Sequence, residues 1–436
     1  MDYSVREVRE FIAENDVKFI RLSFVDLFGM QKNVSILPSE LSRAFEEGIS
    51  FDASAIRGFS DVSRSDLFLV PDPGTLHVLP WWPSRGRVVR LYCDIREPDG
   101  SPFPFDSRRV LARAVERCRE AGFLARIGTE CEFYLFRLDE NGYPTFLPHD
   151  RGGYMDVSPL DKGENVRREI CLTLEEFGLM PETSHHEQGP GQNEIDFLHS
   201  PPEDAADSLI TFKNAVRAIA ERNGLFASFL PKPLPDAAGS GLHINLSLYR
   251  NGANLFDVPL EAGSYGPAAS AIAGLLREAR AITAFGSPLP NSYARLGTFE
   301  APRYVSWSPQ NRSQLIRIPA AGEASARMEL RAPDPACNPY LLFALILHAA
   351  MDGIEDGLPL PAPVNRNLYG GDTEGLAALP GTLTEAVQAA RSSSLPERAL
   401  GRELAEAYLA FKEKEGLEAE ASDDPEAFGR TCFASV

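Results

Sequence analysis

Gly128-Thr129-Glu130-Cys131-Glu132-Phe133-Tyr134-Leu135-Phe136 is the stretch on which the reading of this chain turns. Residues 123–136 are apolar and aromatic enough to be read as one long strand. With a side-chain period of two, Glu130 and Glu132 fall on one face, and Cys131 and Phe133 on the other. Two carboxylates so close together in so apolar a run call for a cation, the alternative being a solvent-facing strand edge.

Other acids and a histidine lie in three further segments. In residues 184–197 a Pro190-Gly191 turn separates Glu187 from Glu194, so the chain can fold back and bring both carboxylates to one point, or simply expose two acids on a loop. His243 begins a strand behind the glycine loop Gly239-Ser240-Gly241, and Glu329 lies in the strand-like run 327–331. A lone strand histidine can equally be structural. Taken together, Glu130, Glu132, Glu187, Glu194, Glu329 and His243 form an oxygen-dominated donor set that suits Mg²⁺ or Mn²⁺ rather than zinc.

Between residues 291 and 331 stand Arg295, Arg303, Arg312, Arg317, Arg327 and Arg331 against only Glu300, Glu323 and Glu329, in a chain whose formal net charge is −19. Arginines without lysines point to bidentate recognition of carboxylate or phosphate, with structural salt bridges as the alternative. Neither the Walker-type nor the dinucleotide-binding glycine motif is present, so a nucleotide would be held by other means. Two-metal hydrolysis is compatible with the acids alone; the arginines favour an anionic, phosphorylated co-substrate.

At 436 residues and 44% apolar, the chain is too long for one ordinary core. The turn-rich segment 97–105 divides it into a small α+β domain, 1–103, and a large one, 104–436. Helices are predicted at 163–177, 203–222, 266–284, 337–355 and 396–413, and strands near 193–198, 226–230, 241–248 and 327–331. The acidic balance excludes nucleic acid as a partner. No run approaches the roughly 18 apolar residues that a membrane span needs, and no signal segment is seen, which predicts a cytoplasmic protein. The six scattered cysteines fit a reducing compartment.

The chain resembles type I glutamine synthetases. The resemblance rests on PheAspAlaSerAlaIleArgGlyPhe (51–59), the Glu130/Glu132 strand, GlyGlyTyrMetAsp (152–156), HisHisGlu at 185–187 with GlyGlnAsnGlu at 191–194, and ProLysPro at 231–233 with the loop to His243. It continues through AsnSerTyrAlaArgLeu (291–296), GluAlaPro (300–302), AsnArgSer and IleArgIlePro within 311–319, and ArgMetGluLeuArgAlaProAspPro (327–335).

The resemblance implies a β-grasp amino-terminal domain and a catalytic domain of the glutamine-synthetase/guanido-kinase type, built on a curved antiparallel sheet. It implies two stacked six-membered rings with active sites between subunits. Glutamate, ammonium and ATP would be the substrates, with two divalent cations per site. Glu132, Glu187 and Glu194 would hold one cation; Glu130, His243 and Glu329 would hold the other. Gly239, His243, Arg295 and Arg331 would position glutamate. Glu182, Asn245, Ser247, Arg312, Arg317 and Arg327 would lie on the ATP side. Asp52 of an adjacent subunit, with Tyr154, Glu187 and Glu300, would form the ammonium pocket, where Asp52 takes a proton, Glu300 shields the intermediate and Arg312 stabilises phosphate charge.

The sequence departs from the family pattern at Ala55, where Ser is usual in the ammonium pocket, at Ala238, where Asn is usual, and in a segment around Glu300 that is one residue shorter. Asp61 replaces the arginine of glutamine-inhibited members, and Tyr369 resembles a tyrosine adenylylated in others, whose typical insertion is absent here. Two rival readings stay open: a γ-glutamyl-amine ligase, and a non-catalytic relative.

Overall fold

The computed structural model describes residues 3–81, 86–322, 325–424, 428–434 and 436; Glu323 of the arginine-rich segment lies outside them. The first helix, Val5–Glu14, is started by a capping box in which Ser4 and Glu7 satisfy each other's backbone N–H groups. Strands β1 (Val17–Val25), β2 (Gln31–Ile36), β3 (Ile49–Asp52), β4 (Asp66–Pro71), β5 (His77–Val78) and β6 (Arg87–Arg96) follow. They form one sheet in the order β2-β1-β6-β4-β3, with β5 beside β6. The β1·β6 pair is parallel and the rest antiparallel.

The second sheet has ten strands: β7 (Leu124–Leu138), β8 (Pro144–Pro148), β9 (Pro181–His186), β10 (Gln192–Phe197), β11 (Leu225–Ser228), β12 (Leu242–Arg250), β13 (Ala253–Asn254), β14 (Trp307–Pro309), β15 (Ile316–Ile318) and β16 (Met328–Leu330). Its spine runs β14-β15-β16-β12-β7-β10-β9. The expectation of an all-antiparallel sheet is corrected at one edge, where β14 and β15 run parallel and the sheet is therefore mixed.

One face of this sheet is core. Phe133 of β7 meets Phe212 of the helix Pro202–Arg222 edge-on at 6.0 Å, and Phe229 closes the same cluster. Each such fully buried side chain contributes about 1.5–3 kcal/mol. The predicted helix 396–413 is two helices, Leu395–Leu400 and Arg402–Glu420, because Gly401 takes a φ of 90° between them.

The two sheets meet at a tight joint. Gly29, in the β1–β2 turn at φ 87°, lies where an added Cβ would stand 2.8 Å from the Cα of Asn338. Asn338 caps the buried helix Pro339–Glu355 through the Tyr340 N–H (3.0 Å), and its amide also donates to the carbonyls of Asp26 and Leu27 (3.3 Å each). One side chain thus starts a helix of the larger domain and holds the amino-terminal sheet.

Candidate active site

Strand register gathers the acids. Directly paired residues in an antiparallel sheet share a face. Arg317 opposes Glu329, Glu329 opposes Asn245, His243 opposes Glu130, Glu130 opposes Asp196, and Glu132 opposes Glu194, which in turn opposes His185. The non-core face of six neighbouring strands therefore carries a continuous polar row, which opens into a cavity of about 590 Å³.

Within that row Glu130, His243 and Glu329 form one group whose ligand atoms lie within 4.8 Å of one another. Glu130 accepts from His243 Nδ1 at 3.0 Å and from Asn245 Nδ2 at 2.9 Å. Burial pushes its carboxyl up, but the bonds and charge from His243, with Asn245 and Arg327, outweigh this and hold it at about 2. Glu329, almost fully buried, sits between Arg331 Nη1 at 2.5 Å and Arg317 Nη1 at 2.8 Å.

A second group is built around Glu194. His185, Glu187 and Glu194 form one cluster, while Glu132, Glu194 and His243 form another. Glu187 is thus gathered with His185, and Glu132 joins Glu194 from the other side. Glu132 accepts from the backbone N–H of Gly241 and from Gln192 Nε2, both at 2.8 Å. Burial, then the charge of Glu132, pushes the Glu187 and Glu194 carboxyls up, Glu194 well above the usual range. Asp196 is raised to about 6 by burial and by Glu130. Acids that raise one another in this way fit a bound cation, and the oxygen-rich donors with single imidazoles suit a hard one.

The turn carrying Glu187 is braced from behind. Asp150 and His186 are buried, with Asp150 Oδ1 2.9 Å from His186 Nε2, and His186 Nδ1 is 2.6 Å from the Glu187 carbonyl. With an acceptor on each nitrogen, both ring nitrogens donate. Burial lowers the His186 pKa, but the bonds to Asp150 and Glu187 more than offset this and raise it.

The arginines divide by role. Arg295, Arg312, Arg317, Arg327 and Arg331 all border the cavity. Arg303 turns away to the Pro380 carbonyl at 3.0 Å. Arg295, expected to position a substrate, also donates to the carbonyls of Ala332 (2.7 Å), Pro333 and Arg331, so it secures the wall it lines. Gly241 lies against it, where an added Cβ would come within 2.5 Å of Arg295 Nη2. Arg327 Nε donates to Asn245 Oδ1 at 3.0 Å.

Tyr154, Gly239 and Glu300 line the same cavity, Tyr154 standing edge-on to His185 at 5.5 Å. Glu300, exposed, accepts from Gln188 Nε2 at 2.6 Å. Four residues assigned to the site by resemblance do not border the cavity. Ser247 is buried, donating to the Ala326 carbonyl at 2.9 Å; Asn245 reaches the site through Glu130 and Arg327. Glu182 lies on β9 outside the cavity lining. Asp52, exposed at the end of β3, accepts from the Ser54 N–H and hydroxyl, which depress its pKa.

Sequence reasoning left His185, Gln188, Gln192 and Asp196 without roles. Asp196 was within reach of the period-two rule, being two residues beyond Glu194 on the same strand. Gln192, two residues before Glu194, was within the same reach, and only its bond to Glu132, which crosses between strands, was not.

A mixed α+β chain with two acid-and-histidine groups and five arginines on one cavity defines a site for hard cations beside an anionic substrate. Residues 16–98 match the description "glutamine synthetase, beta-Grasp domain" and residues 104–429 match "glutamine synthetase, catalytic domain". A glutamine synthetase of Clostridium saccharobutylicum is 44% identical over 420 residues, covering 95% of each chain. One of Methanosarcina mazei is 45% identical over 428 residues, covering 96% of this chain and 95% of its own. Among solved structures, a GmaS–ADP complex is similar with a TM-score of 0.88 at 31% identity, covering 99% of both chains. The cryo-EM structure of Plasmodium falciparum glutamine synthetase gives 0.85 at 25% identity, over 96% of this chain and 97% of the other. The chain belongs to the glutamine synthetase family.

Proposed function

We propose that this enzyme ligates ammonia to the γ-carboxylate of L-glutamate at the expense of ATP, through γ-glutamyl phosphate, giving glutamine, ADP and phosphate. The observation that carries this reading is the meeting, on one cavity, of two acid groups with Arg312, Arg317, Arg327 and Arg331. Two Mg²⁺ or Mn²⁺ ions, when bound, supply charge neutralisation at the γ-carboxylate and the transferring phosphoryl group.

Glu130, His243 and Glu329 would hold the ion on the phosphate side; Glu187, Glu194 and Glu132 would hold the other, with His185 beside them. Arg312, Arg317 and Arg327 face the cavity as guanidinium donors for phosphate oxygens, and Arg331 with the Gly239 loop orients glutamate. Tyr154, Glu187 and Glu300 present an acidic, partly aromatic mouth that attracts a small cation such as ammonium.

Asp52 does not border its own chain's cavity, which supports a site completed by a neighbouring subunit in a ring, two such rings making the full assembly. There Asp52 would take the ammonium proton. Glu182 and Ser247 remain assigned to the ATP side by resemblance alone. The domain division falls at 103/104, and the protein works in the cytoplasm; among the described residues no helix is long and apolar enough to cross a membrane.

The test is phosphate release from ATP with Mg²⁺ and glutamate, comparing ammonium with methylamine, ethanolamine and putrescine and identifying the product by mass. Ammonium should give glutamine. Turnover with organic amines alone would replace this reading with a γ-glutamyl-amine ligase.

A further inference from the structure

The segment that carries Glu300 is exposed and held at few points. Gly297 and Phe299 both adopt positive φ (81° and 51°), and Phe299, a bulky residue in that region, is half exposed. Its side-chain ties to the rest of the site include the Gln188 bond to the Glu300 carboxylate, a contact of Lys232 Nζ with Thr298 Oγ1 at 3.4 Å, and the same ammonium 4.6 Å from the centre of the Phe299 ring. Opposite it, the loop bearing Tyr369 is clamped to the loop bearing Arg312. Asn311 Nδ2 donates to the Arg366 carbonyl at 3.0 Å, Ser308 Oγ to Asn365 Oδ1 at 2.6 Å, and the Leu368 N–H to Ser313 Oγ at 3.0 Å.

From that clamped loop the Tyr369 hydroxyl reaches across. It lies 2.7 Å from the Glu300 carbonyl and 2.6 Å from the Arg312 carbonyl, so one proton is shared between two acceptors on two loops. Burial pushes the pKa of this hydroxyl up, and the charge of the Arg331 guanidinium works against that rise. The hydroxyl therefore joins two residues that border the cavity, Glu300 and Arg312, although Tyr369 itself does not border it.

We infer that Tyr369 is a positioning residue whose hydroxyl ties the Glu300 segment to the Arg312 loop and so keeps water from the acyl phosphate. This rests on the ligase reading above. Without the tie, water in place of ammonia attacks the acyl carbon: a C–O bond forms, the bond to phosphate breaks, and glutamate and phosphate are returned with no glutamine made.

The test is Tyr369→Phe in the full-length enzyme, which removes one oxygen and leaves the ring in place. Glutamine and phosphate are counted in the same reaction with Mg²⁺, ATP, glutamate and ammonium, and amide hydrogen exchange is followed over residues 296–302. The expected result is a fall in kcat of about tenfold, the scale of one lost hydrogen bond, with phosphate released per glutamine rising above the wild-type value. Exchange over 296–302 should be faster, with the melting temperature little changed. Unchanged stoichiometry and unchanged exchange would overturn the inference, even if the rate fell. Wild-type phosphate release without glutamine would strike the ligase reading instead, while the exchange measurement still judges the tie.

Discussion

The two acid groups of the site differ in how their charge is met. Around Glu130 and Glu329 the protein supplies its own counter-charges: His243 and Asn245 on one carboxylate, Arg317 and Arg331 on the other. Around Glu194 it supplies mainly more acid, from Glu132, Glu187 and Asp196, with the imidazoles of His185 at 3.5 Å and of His243 beside it. The first group is preorganised by the chain alone. The second is electrostatically incomplete and is finished by what binds there.

The largest test of this contrast is to remove one acid from each side. Glu329→Ala leaves Arg317 and Arg331 buried without their partner, and it should cost about 3–5 kcal/mol of stability by urea denaturation together with most activity. Glu194→Gln should lose about 100-fold or more in turnover, yet be at least as stable as the wild type in EDTA, because it removes a repelled charge. A marked loss of stability in metal-free Glu194→Gln would break the comparison.

Metal should act more strongly than any single neutral contact. Mn²⁺ at about 100 times its Kd should raise unfolding free energy by about 2.7 kcal/mol for each site filled, read as a melting shift against EDTA.

The pH responses of the two groups should have opposite sign. Three carboxyls are raised in the folded state, Asp196 to about 6 and Glu187 and Glu194 in the same direction, and they contribute stability that is full below the ordinary carboxylate range and lost as pH rises through their raised values. Glu130, held at about 2, contributes stability that is full above its ordinary value of 4.5 and lost as pH falls toward 2. Melting of the metal-free protein should show both slopes, and Glu194→Gln should flatten the upper one. Metal affinity should rise with pH over that upper window, since the ligands must shed protons.

The smallest effect expected is at Asn245, which supports Glu130 and Arg327 without bordering the cavity. Asn245→Ala should lower activity by about tenfold and leave the upper pH slope untouched. An altered upper slope would mean the two groups are coupled more closely than their geometry implies.

Much of this arrangement was legible in the chain. Glu130 and Glu132 declare their shared face through the period of β7, and most long helices follow from apolar spacing. What stayed hidden has physical reasons. β9 reads ProGluThrSerHisHis, with no apolar alternation, and is a strand because β10 pairs with it. β14 and β15 are three residues each and owe their form to the ladder. The break at Gly401 is a single φ angle inside an otherwise helical pattern. Tyr369 lies far along the chain from Glu300, and only folding brings its hydroxyl there.

Asn338 ends the matter for anyone who would treat the two halves as interchangeable modules. The turn at residues 26–29 is the seat on which the most apolar helix of the catalytic half begins. Cutting the chain at its domain boundary would therefore not release an autonomous catalytic unit, and grafting a foreign amino-terminal half would require that turn, glycine included, to be carried over intact.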